Sequence, residues 1–413
     1  MSRGLPPGPR SAWIATAGLV RDPYGFHARC AARFGDPYTV PSLNGRVVCT
    51  GRPENIQAIF AADPQCFAPW ASATMLPLMG PGSIFQLRGE AHRRERTLLS
   101  PHFAGPRMRA FAESMRTAAR EQLLTLRPGE EFRAAELAQA ISLDVILRAV
   151  MGCEEPAEIA ALRADIRSFV ASAHPLLFFA PALQRAPLGL GPWARFLDAR
   201  RAFDARLLAQ IARRRAGLAR GETHADILSA IITSRYEDGS PMEDARVRDE
   251  LVTLLFAGHE TTALAIAWAL YWIHRERDVR ERLREAPADA EYLEAVCQES
   301  LRLNPIVPDS PRLVARELEL FGVRLPPGAG ACWVSSLAHM DPQVFPELER
   351  FRPERFLARS FKPWEFLPFG GGARRCLGSA FALQEMREVL GVLLGECSSS
   401  CSTTGRCARA GAA

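Results

Sequence analysis

Apolar residues recur at a period near 3.6 over long stretches of this chain, and the spacing predicts helices over Pro53 to Ala61, Gly89 to Leu98, Arg107 to Leu126, Ala134 to Met151, Ala157 to Ser172, Ala194 to Ala219, Glu243 to Arg275, Val279 to Arg284 and Glu291 to Leu303. A further helix begins near Ser379, where Phe381, Ala382, Leu383, Met386, Val389 and Leu390 make one apolar face. Short alternating or β-branched runs at Tyr38 to Val40, Val47 to Thr50, Arg312 to Leu313, Leu318 to Leu325 and Ala331 to Val334 predict strands, separated by Pro and Gly. The expected architecture is mainly α with small β-sheets. No linker divides it, so a single large domain over residues 21–395 is expected, between a proline-rich tail, residues 1–20, and a tail of different composition, residues 396–413.

Composition narrows this picture. The 413 residues are 48% hydrophobic and 23% charged, enough apolar material for a substantial core. Lys and Arg total 51 against 46 Asp and Glu, a balance of +5. Lys362 is the single lysine, a usage that fits a GC-rich genome and points to a bacterial source. The excess is small and dispersed, and no basic stretch is interleaved with aromatics, so nucleic acid is not an expected partner. Ten cysteines without CxxC pairs suit a reducing cytoplasm. The apolar run Ala12 to Val20 is too short for a membrane anchor. Leu251 to Ile273 is long enough but carries His259 and Glu260, and a buried central helix is the better reading.

The chemistry concentrates in Phe369-Gly370-Gly371-Gly372-Ala373-Arg374-Arg375-Cys376-Leu377-Gly378. Two arginines before Cys376 and a helix start after it favour a thiolate, the form that binds metal. Alone, such a cysteine is as readily a small buried hydrophobe. A glycine run also cradles phosphate, but the Gly-Lys-Ser/Thr ending of a P-loop is missing. In the central helix, Ala257-Gly258-His259-Glu260-Thr261-Thr262 sets a glycine and a carboxylate in an apolar segment, both costly there. Thr261 is one turn from Ala257 and its hydroxyl is placed to bond the Ala257 carbonyl, opening the helix slightly. Close helix packing at Ala257 and Gly258, with His259 and Glu260 facing water, is the competing reading.

The cysteine loop resembles, position for position, the Phe-x-x-Gly-x-Arg-x-Cys-x-Gly haem-ligand loop of the cytochrome P450 family. Further resemblances follow in the right order over residues 20–395. Gly89-x-x-His92-x-x-x-Arg96 is similar to the family's propionate-binding pair, the 257–262 segment to its oxygen-binding groove, Glu299-Ser300-Leu301-Arg302 to its Glu-x-x-Arg element, and Pro353-Glu354-Arg355-Phe356 to its Pro-Glu-Arg-Phe element.

The resemblance implies a cytochrome P450 fold and haem b, with Cys376 as iron ligand. It implies that His92, Arg96, Ala257, Arg312, Phe369, Arg374 and Gly378 line the cofactor. Glu260 and Thr261 would carry protons to the reacting dioxygen, and His259 would be structural or a relay rather than a ligand. Glu299, Arg302 and Arg355 would form a buried charge network that holds the cysteine loop. Arg93, Arg94 and Arg375 would attract an acidic electron donor.

Val307, Leu254, Phe256, Phe178 and Phe179 are expected near an apolar substrate, with Asp309 either fixing a polar group or sitting in a turn. The apolar, proline-broken stretch His174 to Trp193 reads as a mobile lid, and Thr74 to Gln86 as a second wall. The implied reaction is insertion of one atom of O2 into an apolar molecule of terpenoid, fatty acid or polyketide class. A ferredoxin and a ferredoxin reductase would supply electrons to a cytoplasmic monomer. A haem-binding protein without turnover and a peroxide-driven hydroxylase are the alternatives. After Leu394 the apolar periodicity stops, where the family continues with strands; the serine- and cysteine-rich tail reads as disordered.

Overall fold

The computed structural model describes residues 4–396 apart from residues 43, 105, 128–130, 175–176, 178–183, 187–188 and 287–288. The expected disordered tail therefore lies outside the described residues. The chain divides into two compact units: one contains the residues up to Trp70, Leu264–Ser379 and those from Met386 on, and the other Ala71–Ala263 with Ala380–Glu385.

The first unit is built on a five-stranded sheet in the order β1-β2-β7-β4-β3, with β1 at Tyr38–Ser42, β2 at Gly45–Thr50, β3 at Phe67–Pro69, β4 at Asp309–Val314 and β7 at Gly330–Val334. Among the described residues only the β2–β7 pair is parallel, joined Val47 to Gly330 and Thr50 to Trp333. One face packs Val48, Ile56, Ile59, Phe67, Ala331 and Trp333 into a core with Leu367. The other buries Phe26, Cys30, Tyr38, Val40, Cys49 and Cys332. Leu318–Leu325, expected as one strand, is a separate hairpin of β5 (Leu318–Leu320) and β6 (Val323–Leu325). Phe321 at φ 60° and Gly322 at φ 69° turn the chain between them, as a two-residue hairpin requires.

Two helices that the apolar period misses open this unit. Ala12–Arg21 falls almost wholly in the stretch expected as a tail and is capped by the Ser11 hydroxyl. Pro23–Phe34 is capped by Asp22, which accepts from the Gly25 N–H, with Pro23 at its first position. Their signal is the cap rather than the periodicity.

The second unit is helical. Ala134–Met151 is buried along most of its length, and its Asp144 accepts from Gln122 at 2.6 Å. Arg107 to Leu126, expected as one helix, is two, Pro106–Ala110 and Ala112–Leu123. The central helix Asp244–Arg275, whose residues up to Ala263 belong to this unit, is long and apolar enough to cross a membrane by length and composition. Its fixed contacts are those of a core helix: Val247, Leu251, Val252 and Leu255 are buried. Asp249 and Glu250 are also buried and accept from the N–H groups of Gly82 at 2.7 Å and Ile84 at 2.6 Å. Thr74 to Gln86 supplies these donors and overlaps the helix Ser72–Met79.

Candidate active site

Cys376 sits in a tight loop just before the helix Ser379–Glu396. Its N–H donates to the Phe369 carbonyl at 2.9 Å, and the Gly370 N–H donates to Leu367 at 3.0 Å. Gly370 and Gly372 hold φ of 62° and 63°, the left-handed region that disfavours side chains. Gly371 serves another purpose, since a Cβ there would fall 2.2 Å from the Phe60 ring. Seven cysteines are described and none is in a disulfide; Cys376 is the exposed one, while Cys30, Cys49, Cys153, Cys297 and Cys332 are buried. Burial pushes the thiols of Cys153 and Cys297 up to about 12, the opposite of what a thiolate ligand needs.

Arg312, on β4, is buried and donates to the Gly371 carbonyl at 2.9 Å, with its guanidinium 4.8 Å from the Trp333 ring centroid. No carboxylate of the described residues pairs with it. Burial, and then the like charge of Arg374, pull it down to about 10, so it remains a cation at neutral pH. A buried cation held against the cysteine loop by a carbonyl and aromatic rings lacks a counter-anion, and a carboxylate-bearing cofactor such as haem supplies one. The donor set fits the group.

Glu299, Arg302 and Arg355 come together behind this loop. Arg302 donates two parallel bonds to Glu299, each 2.8 Å, and both side chains are wholly buried. Arg355 reaches Glu299 at 3.1 Å, and the Arg352 N–H adds a bond of 2.9 Å. His339, which sequence reasoning passed over, extends the network: Arg302 donates to its carbonyl at 3.0 Å, its Nδ1–H donates to the Arg302 carbonyl at 3.1 Å, and its Nε2 accepts from the Leu367 N–H at 2.8 Å. Burial drives the imidazole down to about 3, so it is neutral. Hydrogen bonds thus run from Glu299 to Leu367, whose carbonyl anchors Gly370. A lone histidine after an apolar strand carries no motif, so only the fold exposes this role.

In the second unit, Thr261 donates to the Ala257 carbonyl at 2.6 Å, and the helix continues without a break. Glu260 is exposed, while His259 is buried and bonds the Leu255 carbonyl at 2.6 Å. Gly258 serves packing: a Cβ would come 2.5 Å from the Ile146 Cδ1. His92 is buried and Arg96 half-buried on the helix Gly89–Leu99. Arg93 pairs with Glu90, and Arg94 with Asp238 at 2.7 Å while lying over the Tyr236 ring, so their charge is largely neutralised. Leu254 and Phe256 are half-buried, and Phe256 meets Phe169 edge-on at 5.4 Å. Phe178 and Phe179 lie outside the described residues, as does half of the expected lid.

Elsewhere in the first unit, Phe369, Arg374 and Gly378 are half-buried and Val307 is exposed. Asp309 bonds His27 at 3.0 Å, and His27 bonds the Tyr38 hydroxyl at 2.6 Å. That chain gives Asp309 a partner which neither a turn nor a substrate contact anticipates.

Sequence reasoning also missed Glu385, on the helix after Cys376. It is fully buried beside Ser142, neither carboxylate oxygen has a hydrogen-bond partner among the described residues, and burial pushes its pKa up to about 8. Its neighbour Ser142 pulls in the opposite direction, and burial outweighs it.

Comparison with known proteins is consistent along the chain. The family model described as Cytochrome P450 matches residues 6–408. The chain is 35% identical over 419 residues to proteins of Mycobacterium bovis and Mycobacterium tuberculosis designated cytochrome P450 135B1, covering 98% of this chain and 87% of theirs. It is 33% identical to Mycobacterium tuberculosis cytochrome P450 135A1, over 94% of this chain and 88% of that one. Among solved structures, retinoic acid-bound cyanobacterial CYP120A1 superposes with a TM-score of 0.80 at 25% identity, covering 95% of this chain and 92% of that one.

Proposed function

Because the chain belongs to the cytochrome P450 family, whose members are generally haem monooxygenases, we propose that it inserts one atom of O2 into an unactivated C–H bond or double bond of an apolar small molecule, of terpenoid, fatty acid or polyketide class. The observation that carries this reading is the pairing of an exposed Cys376 in its glycine loop with a buried, acid-free Arg312 bonded to that loop.

Haem b, when bound, supplies the iron centre that takes up electrons and activates O2. The remaining work belongs to the chain. Cys376 would ligate the iron as a thiolate, with Phe369 and Gly378 lining the cofactor beside it. Arg312, Arg374, His92 and Arg96 would hold the propionates, since arginine matches a carboxylate with two parallel bonds. Ala257 leaves room along the central helix. The Thr261 hydroxyl orients and passes a proton, and the exposed Glu260 exchanges it with solvent. Glu299, Arg302 and Arg355 fix the cysteine loop in position.

An apolar substrate is supported by the half-buried Leu254 and Phe256 and by the stacked Phe169, Phe196 and Phe203 beyond them. The structural neighbour's bound retinoic acid, a long apolar molecule with one polar end, is of the same kind. A single haem domain fed by a separate ferredoxin and ferredoxin reductase, monomeric and cytoplasmic, completes the proposal.

The test is NADPH oxidation by added ferredoxin and reductase in the presence of an apolar compound that displaces iron-bound water. Product formed in proportion to NADPH supports the reading. Haem binding with no product from any donor favours a protein without turnover, and product from peroxide alone favours a peroxide-driven hydroxylase.

A further inference from the structure

Helix Ala12–Arg21 has two faces of opposite fate. Ala15 is fully buried, and Gly18 lies so close to Phe26 that a Cβ would fall 2.5 Å from its ring, so this side packs onto the unit. The other side is apolar and exposed: Trp13 is 73%, Ile14 71% and Val20 65% exposed, with Ala17 between them. At 100° per residue, Trp13, Ala17 and Val20 fall within one narrow stripe, with Ile14 and Arg21 along its edge. Such a stripe on a soluble helix normally faces a core, and this one faces outward.

The charge around it is one-sided. Arg10, Arg21, Arg29 and Arg33 are all exposed, and Asp22 is the single acid among residues 4–35, so this short segment holds +3 of the chain's +5. Arg29 and Asp22 pair at 3.3 Å, and that pair is itself exposed.

We infer that the Trp13–Ile14–Val20 face of helix Ala12–Arg21 seats this protein on the surface of an anionic lipid bilayer. An apolar face containing Trp, rimmed by arginines, matches the two layers of a membrane interface: the ring and aliphatic groups enter at the headgroup boundary and the guanidinium groups meet lipid phosphates. A helix of ten residues lies on the bilayer and does not cross it. A protein partner fits less well, because three side chains fall well short of the ~800 Å² per partner of a stable interface. A bilayer sets no such minimum. The inference does not rest on the monooxygenase reading.

Vesicle sedimentation of the full-length holoprotein tests it, comparing phosphatidylcholine vesicles with vesicles containing phosphatidylglycerol. Wild type should bind the anionic vesicles several-fold better and be released by salt. Trp13→Ser with Val20→Ser should cut binding roughly tenfold or more. Arg10→Glu with Arg21→Glu should abolish the preference for anionic lipid. All four positions are exposed, and far-UV circular dichroism checks that each variant is folded. Failure of wild type to bind vesicles, or equal binding by the Trp13/Val20 variant, overturns the inference. So does a wild-type dimer that this variant converts to monomer, which would make the face a contact between copies.

Discussion

Arg355 and Glu299 stand 56 positions apart in the chain and meet as an ion pair at 3.1 Å, with the Glu299 carboxylate wholly buried. Arg302 occupies the same carboxylate from its own helix. Burial pulls the Arg355 pKa down, and the charge of Glu299 opposes that pull. Removing Arg355 leaves Arg302 to balance Glu299 alone, whereas removing Glu299 strands two buried cations. Glu299→Gln should therefore cost about 3–5 kcal/mol of stability and Arg355→Leu somewhat less, measured by chemical denaturation.

His339 ties this network to the cysteine loop through Leu367. His339→Phe leaves the Leu367 N–H and the Arg302 carbonyl unsatisfied, a loss of roughly 2–5 kcal/mol from two buried polar groups. The pH dependence has a definite sign. The folded imidazole stays neutral down to about 3 while the unfolded one protonates near 6.5. The contribution is therefore complete above pH 6.5 and is lost as pH falls towards 3. Denaturation at pH 5 and pH 7 should show this loss in wild type and a shallower one in His339→Phe.

Glu385 acts in the opposite direction. Its folded pKa of about 8 lies above the ordinary 4.5, so between these values the folded chain keeps a proton that the unfolded chain releases. Stability falls as pH rises through that window. Glu385→Gln, neutral and of the same shape, should remove the penalty and raise stability at pH 8 by on the order of 3–5 kcal/mol. A variant no more stable than wild type at pH 8 would mean that the carboxyl finds a partner after all.

How far the sequence could be read depends on what each feature encodes locally. The long helices and four of the five strands of the larger sheet were legible because burial imposes a period of 3.6 or 2 on their residues, whereas β3, Phe67–Pro69, is too short to show one. The hairpin at Leu318–Leu325 was not, since its turn is set by positive φ at Phe321, an unusual residue there. Cys376, Glu299 and Arg302 were legible as motifs at fixed spacing. His339 and Glu385 were not, because each takes its meaning from residues far away in the chain: Leu367 and Arg302 for one, Ser142 for the other. The burial of His259 rather than Glu260 was equally hidden, as neighbouring helix positions 100° apart take opposite fates.

Thr261 offers a test of proton delivery. Its hydroxyl donates to the Ala257 carbonyl at 2.6 Å, which fixes the oxygen in the helix without blocking its lone pairs. Thr261→Ala should leave NADPH consumption running while product per NADPH falls roughly tenfold or more, with hydrogen peroxide released instead. Unchanged product yield would count against a proton role for this residue.

The central claim is that the sulfur of Cys376 binds haem iron as a thiolate, and the absorption spectrum of the reduced, carbon monoxide-treated protein tests it most directly. Wild type should show the red-shifted Soret band of a thiolate-ligated haem, and Cys376→Ser should lose that band. An identical spectrum from the two proteins would contradict the account.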